Sequence, residues 1–127
     1  MLLGDFFTIS SIQKEGDSSK AILELNAAHS IFEGHFPGQP VVPGACLLQM
    51  VKEIMQIITC SEMQLIKAHQ LKFIFLIDPA KNTILQMVLT YSINENNEVK
   101  VLAILSKDTV VCFKFNGMFQ VYKTKSS

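Results

Sequence analysis

The chain has 127 residues, 49% of them hydrophobic, with 11 basic and 11 acidic side chains and a formal charge of zero. That size predicts one domain over residues 1–127 with an enclosed core, and the apolar share excludes disorder and directs part of the excess towards a subunit interface. Every basic residue is Lys; without the guanidinium fork suited to phosphate and base-edge contacts, nucleic-acid binding is set aside.

The first seven residues carry no basic region and meet Asp5 at once, so no signal peptide is expected. Residues 6–13 read as a strand, Glu15 to Ser19 as a turn, and residues 20–26 as a second strand with Ala21, Leu23 and Leu25 on one face. A Pro/Gly-rich segment follows at 34–44, then an apolar stretch from Ala45 to about Thr59. Polar residues within it, Gln49, Lys52, Glu53, Gln56 and Thr59, recur at helical spacing and predict a helix with one polar stripe. It is too short and too polar to cross a bilayer.

The second half alternates. Leu71, Phe73, Phe75 and Ile77 precede Asp78-Pro79, and Leu85 to Ile93 runs to a turn at Asn94-Glu95-Asn96-Asn97. Val99 to Leu105 leads to a turn at Lys107-Asp108, then Val111, Phe113 and Phe115, with Gly117 read as a bulge before residues 119–122. Strands joined by short turns imply an antiparallel sheet, and one apolar helix among them implies a sheet wrapped around it, an α+β architecture.

Cys46, Cys60 and Cys112 are widely spaced in apolar surroundings. An odd count without pairing or ligand spacing reads as reduced thiols in the cytoplasm, with no metal site. Cys46 lies on the first helical turn, where a thiolate could be stabilised; a packed thiol is the favoured reading.

Chemistry concentrates in Gly34-His35-Phe36-Pro37-Gly38-Gln39-Pro40-Val41-Val42-Pro43-Gly44. Pro37, Pro40 and Pro43 fix φ and lack N–H donors, while Gly38 and Gly44 permit close backbone approach. The helix entry at Pro43-Gly44-Ala45 leaves free N–H groups at the positive end of the helix dipole, a place to stabilise an oxygen that gains negative charge.

The run His35-Phe36-Pro37-Gly38-x-Pro40-x-x-Pro43-Gly44, with its lead-in Phe32-Glu33-Gly34, resembles the signature of the 3-hydroxyacyl-ACP dehydratases of the FabZ kind. The resemblance implies a hot-dog fold that pairs as a dimer through its sheets, an acyl carrier protein with a phosphopantetheine-linked acyl chain as partner, and no cofactor. It implies that His35 removes the C2 proton of a 3-hydroxyacyl thioester. Gly44 would offer its N–H to the thioester carbonyl, with Phe36 and Pro43 beside it in the substrate-binding loop.

The family's second catalytic group, a carboxylate on the central helix, corresponds to Gln49 here. An amide can orient the hydroxyl but has no acidic proton to give near neutral pH. The family commonly follows that carboxylate by a Gln one turn later, whereas this chain has Gln49 and then Glu53. The two lie about 6 Å apart on one helix face. Glu53 is therefore a candidate acid acting through a water, against the plainer reading of a solvent stripe.

His29 either lines the same mouth or caps a turn, and His69 reads as a surface residue at a strand start. Ser30 lacks a nucleophile-elbow pattern. Phe73, Phe75, Phe113, Phe115 and Phe119 sit at strand spacing, as core or interface with some along an acyl tunnel. Lys123 and Lys125 could meet an acidic carrier or simply aid solubility. Three functions follow: a dehydratase forming the trans-2-enoyl thioester, a non-catalytic accessory subunit that holds an acyl chain, and a hot-dog thioesterase.

Overall fold

The computed structural model describes residues 1–32, 41–81 and 83–124. Six strands and one long helix follow in the order β1 (Phe7–Glu15), β2 (Ser18–Leu25), α1 (Gly44–Thr59), β3 (Ser61–Phe73), β4 (Ile84–Ile93), β5 (Glu98–Lys107) and β6 (Val110–Thr124), with a 3-10 turn at Ser30–Phe32 before α1. They form one antiparallel sheet in the order β1-β2-β4-β5-β6-β3. The strand that leaves the helix thus crosses to the edge opposite β1.

Period-two alternation places one row of apolar residues per strand on the inner face. Ala21, Leu23 and Leu25 of β2, Leu85, Met87 and Leu89 of β4, Val99, Val101, Ala103 and Leu105 of β5, and Phe113, Phe115 and Phe119 of β6 are all buried. Against them α1 sets Leu47, Met50, Val51, Ile54 and Met55, also buried. Each such side chain contributes about 1.5–3 kcal/mol when fully removed from water, so the sheet and helix hold each other.

The hairpin turns bear out the sequence reading: Gly16 has φ 64°, Asn97 φ 59° and Asp108 φ 55°. Two expectations are corrected. β3 begins at Ser61, ten residues ahead of the alternation that marked it, so His69 lies well inside the strand. Its pairing with β6 skips at Ile66 and His69, and each skip resets the alternation. β6 is one continuous strand through Gly117, and the bulges nearest that glycine are on the opposing β3. Gly117 serves close approach instead: a Cβ there would stand 2.5 Å from the Lys67 carbonyl oxygen and 2.5 Å from the Phe115 ring.

Candidate active site at the helix entrance

α1 begins at Gly44 with Pro43 as its N-cap residue, at φ −62° and ψ 142°. Proline has no side-chain acceptor, and no acidic residue occupies the first turn. The Pro43 carbonyl takes the N–H groups of Cys46 (3.0 Å) and Leu47 (3.3 Å). Among the described residues, the N–H groups of Gly44 and Ala45 meet no acceptor. Among the described residues, no protein group compensates the positive end of the helix dipole.

This end opens into an apolar pocket of about 240 Å³ lined by Val41, Val42, Pro43, Gly44, Leu47, Phe73, Phe75, Leu76 and Ile77. Backbone bonds fix its walls: Val42 N–H donates to the Ile77 carbonyl at 2.9 Å, and the N–H groups of Ile74 and Phe75 both reach the Cys112 carbonyl. Phe73 forms one side, its ring stacked on Phe113 with centroids 5.2 Å apart. It lies so close to the helix entry that a Cβ on Gly44 would stand 2.8 Å from two of its ring carbons. A side chain at position 44 would thus press on the Phe73 ring.

The structure brings Pro43 and Gly44 to this pocket. His35 and Phe36 lie outside the described residues. Gln49 is half-buried on α1 and donates from Nε2 to Glu53 Oε2 at 2.9 Å. Glu53 departs from the solvent-stripe reading. It is 1% exposed, so it belongs to no solvent stripe. Its oxygens accept the Leu2 N–H (3.0 and 2.8 Å) and the Leu3 N–H (2.8 Å) besides the Gln49 amide. Every described contact of the carboxylate is an accepted hydrogen bond. Through these bonds the group anchors Leu2 and Leu3.

His29 caps its turn: Nδ1 accepts the Ile31 N–H at 3.1 Å, so Nε2 carries the proton it shares with Asp5 at 3.0 Å. Its ring meets the edge of Phe6. Cys46 and Cys112 are buried, and burial pushes both thiols up from the ordinary range, with a backbone hydrogen bond at Lys107 drawing Cys112 partly back. This supports the packed-thiol reading of Cys46. Lys123 lies 3.9 Å from Glu62, and Lys125 is outside the described residues.

Sequence reasoning missed the tie between Glu53 and the N-terminus, because backbone donors leave no mark in a sequence. It also missed Leu76 and Ile77 as a pocket wall beside Phe75, which was named among the residues that could line a tunnel. Their signal was present as an apolar run just before Asp78-Pro79, where a strand was expected to continue. Among the described residues no group of three His, Cys, Asp or Glu side chains is placed to hold a metal ion, and no helix is long and apolar enough to cross a membrane.

Comparison with known proteins accords with this arrangement. The FabZ 3-hydroxyacyl-[acyl-carrier-protein] dehydratase of Haemophilus influenzae (strain PittEE) is 35% identical over 68 residues, which are 54% of this chain and 45% of that protein. The corresponding protein of Escherichia coli O9:H4 (strain HS) is 28% identical over 68 residues, with the same shares covered. These matches span less than half the length of either relative. Among solved structures, the dehydratase heterocomplex ApeI:P from Xenorhabdus doucetiae superposes with a TM-score of 0.70 at 18% identity, covering 88% of this chain and 96% of that one. A hypothetical thioesterase with coenzyme A from Streptococcus pneumoniae TIGR4 gives 0.63 at 7% identity, covering 98% and 94%. Both likenesses speak to the fold, which is the α+β hot dog. The family model described as ApeI-like, ApeI dehydratase, matches residues 11–114. With that match across most of the strands and the whole of α1, the chain belongs to the ApeI-like dehydratases, a FabZ-like hot-dog family.

Proposed function

We propose that this protein removes water from a (3R)-3-hydroxyacyl chain carried as a thioester on an acyl carrier protein, giving the trans-2-enoyl thioester. The observation that carries the reading is the uncapped start of α1 at Gly44, opening into an apolar pocket. A thioester oxygen set against those N–H groups gains charge as the C2 proton leaves, and donors already in place stabilise it without reorganisation. The apolar walls suit the acyl chain.

In this reading His35 takes the C2 proton as the carbonyl oxygen gains negative charge. The C3–O bond then breaks as the electron pair forms the C2–C3 double bond, and His35 returns its proton to the departing hydroxyl, which leaves as water. Gln49 orients that hydroxyl. Its Nε2 gives one hydrogen to Glu53, which leaves Oε1 as an acceptor and a second N–H as a donor for that hydroxyl. Glu53 acts as a positioning residue for Gln49. Phe36 and Pro43 flank the bound substrate.

The test is incubation with a 3-hydroxyacyl carrier substrate, followed by mass spectrometry for the enoyl thioester. His35→Ala should lower turnover by about 10²–10⁴-fold, the usual contribution of a positioned base. Unchanged turnover in that variant defeats the assignment. Gln49→Glu should raise turnover if proton donation limits the rate.

The amide at position 49 also favours a second reading, in which the chain is an accessory subunit that holds the acyl group without converting it. Binding of the acyl-carrier conjugate with no enoyl product would establish that role. Release of free acid and free carrier thiol would instead identify a thioesterase.

In either reading the partner along the β3 edge is a second hot-dog subunit. Leu71, Phe73, Phe75 and Leu76 are 40%, 55%, 58% and 80% exposed at that edge. A homodimer covers them with a second copy; a non-identical dehydratase subunit is the other outcome of a mass measurement in solution. The proposed setting is the cytoplasm.

A further inference from the structure

The turn Leu2–Phe7 is closed on itself and tied on two sides. The Leu2 carbonyl accepts the N–H groups of Asp5 (3.2 Å), Phe6 (2.7 Å) and Phe7 (3.3 Å), while Gly4 donates to the Phe7 carbonyl at 2.7 Å. Gly4 has φ 92°, a backbone shape that a Cβ disfavours. Phe6 and Phe7 are buried, so the turn is packed as a unit with the core.

One tie runs to α1. The Leu2 and Leu3 N–H groups enter the Glu53 carboxylate, which also takes the Gln49 amide. The other tie runs to the 3-10 turn. The Asp5 carboxylate accepts the His29 Nε2–H at 3.0 Å, and the Asn26 side chain donates to the Asp5 carbonyl at 2.9 Å. The Phe6 ring lies against both His29 and Phe32, with centroids 5.4 and 5.5 Å away. Phe32 ends the 3-10 turn, and His35 follows it by three residues in the chain.

A carboxylate that is 1% exposed is costly unless its oxygens are satisfied. Among the described residues no cation meets Glu53, so its charge is held by main-chain amides and by Gln49. A buried leucine at position 53 would join α1 to the turn without that cost. Apolar contact has no direction, however, whereas hydrogen bonds to a charged group do.

We infer that the turn Leu2–Phe7 is a brace that sets Gln49 and the departure point of the segment bearing His35 in one rigid frame, with Asp5 and Glu53 as its positioning residues. The inference rests on the function proposed above, in which His35 and Gln49 act on neighbouring carbons of the 3-hydroxyacyl chain. Asp5 acts through His29, and Glu53 through Gln49; both work at a remove from the substrate.

The test is a double-mutant cycle in steady-state kinetics with the 3-hydroxyacyl carrier substrate. Asp5→Ala should lower kcat about fivefold and Glu53→Gln about tenfold, both with KM unchanged, within the loss of about 10²-fold that misplaced groups can cause. Because both break one brace, the double variant should be no slower than the slower single variant. Single effects that simply multiply would show two independent local contacts and overturn the inference. Asp5→Asn keeps an oxygen for the His29 Nε2–H and should stay within about twofold of wild type; a kcat as low as that of Asp5→Ala overturns it as well. The Asp5 side chain is 78% exposed, so its loss should spare the core, which urea unfolding checks. A readout without substrate is the side-chain amide resonance of Gln49, which should move in Asp5→Ala although the two residues do not touch. An unmoved resonance overturns the brace. If the wild-type protein forms no enoyl product, the proposed function fails instead, and this resonance decides the brace by itself.

Discussion

The two ends of α1 are built differently. At the C-terminal end, Cys60 adopts φ 50° and ψ 49° and returns its N–H to the carbonyls of Gln56 and Ile57. The Thr59 hydroxyl donates to the Met55 carbonyl at 2.7 Å, and Gln56 Oε1 accepts the Met63 N–H at 3.1 Å. Backbone groups that a helix end leaves unpaired are satisfied there by the protein's own atoms. At the N-terminal end a proline stands where Ser, Asp or Thr would cap, no carboxylate occupies the first turn, and an apolar pocket opens alongside. One end is closed by the fold. The other has donors that meet no acceptor among the described residues.

Filling the open end should have the largest effect. Gly44→Val puts a branched side chain where even a Cβ would stand 2.8 Å from the Phe73 ring. Turnover of the carrier substrate should fall by about 10²-fold or more, as when an oxyanion donor is lost. Gly44→Ala should cost less, and pairing it with Phe73→Leu should recover part of the loss. Failure of that recovery in steady-state kinetics would separate the glycine from the ring.

The middle of the helix supplies a contrast in kind. Glu53→Ala removes the acceptor for the Leu2 and Leu3 N–H groups and should destabilise the protein by about 3 kcal/mol, given the strength of hydrogen bonds to charged groups. Urea unfolding measures it. Because Glu53 also engages Gln49, kcat of the surviving folded protein should fall while KM holds.

At the closed end, Cys60→Gly should stabilise by about 1 kcal/mol, since glycine takes the left-handed conformation without penalty. Activity should not change. An altered kcat would show that the two ends are coupled.

The smallest effect concerns the thiols. Burial raises the pKa of Cys46 and Cys112 above that of an unfolded thiol, so the folded state favours the neutral form. The associated stability is fully present below the unfolded pKa and is lost as pH rises through the folded one. The urea midpoint should decline on the alkaline side, less so in Cys46→Ala. A thiol reagent near neutral pH should modify Cys60 first, the exposed member of the three.

How much of this could be read beforehand depended on where water stands. α1 was legible to within a residue because one broad face meets the core, and β4 and β5 because their inner rows alternate without interruption. β3 was legible only in its second half. It is an edge strand with both faces exposed beyond Leu65 and two skips in register, so polar residues such as Gln64, Lys67 and Gln70 follow no simple period. At the site, Pro43 and Gly44 were legible from local chain chemistry. The burial of Glu53 was not, since it depends on main-chain donors fifty residues away. The pairing of Asp5 with His29 stayed hidden for a related reason: the two are 24 residues apart and meet only in the folded chain.

The anchoring of Leu2 and Leu3 has a consequence for hydrogen exchange. Amides near a chain terminus ordinarily swap protium for deuterium within moments. Here two of the first three residues give theirs to an enclosed anion. Their deuterium uptake should be slow, nearer that of the helix that holds them than that of the hairpin loops. A peptide tag fused ahead of Met1 would join the chain one residue from that anchor, and slow uptake there would provide an early check that the tag had left it undisturbed.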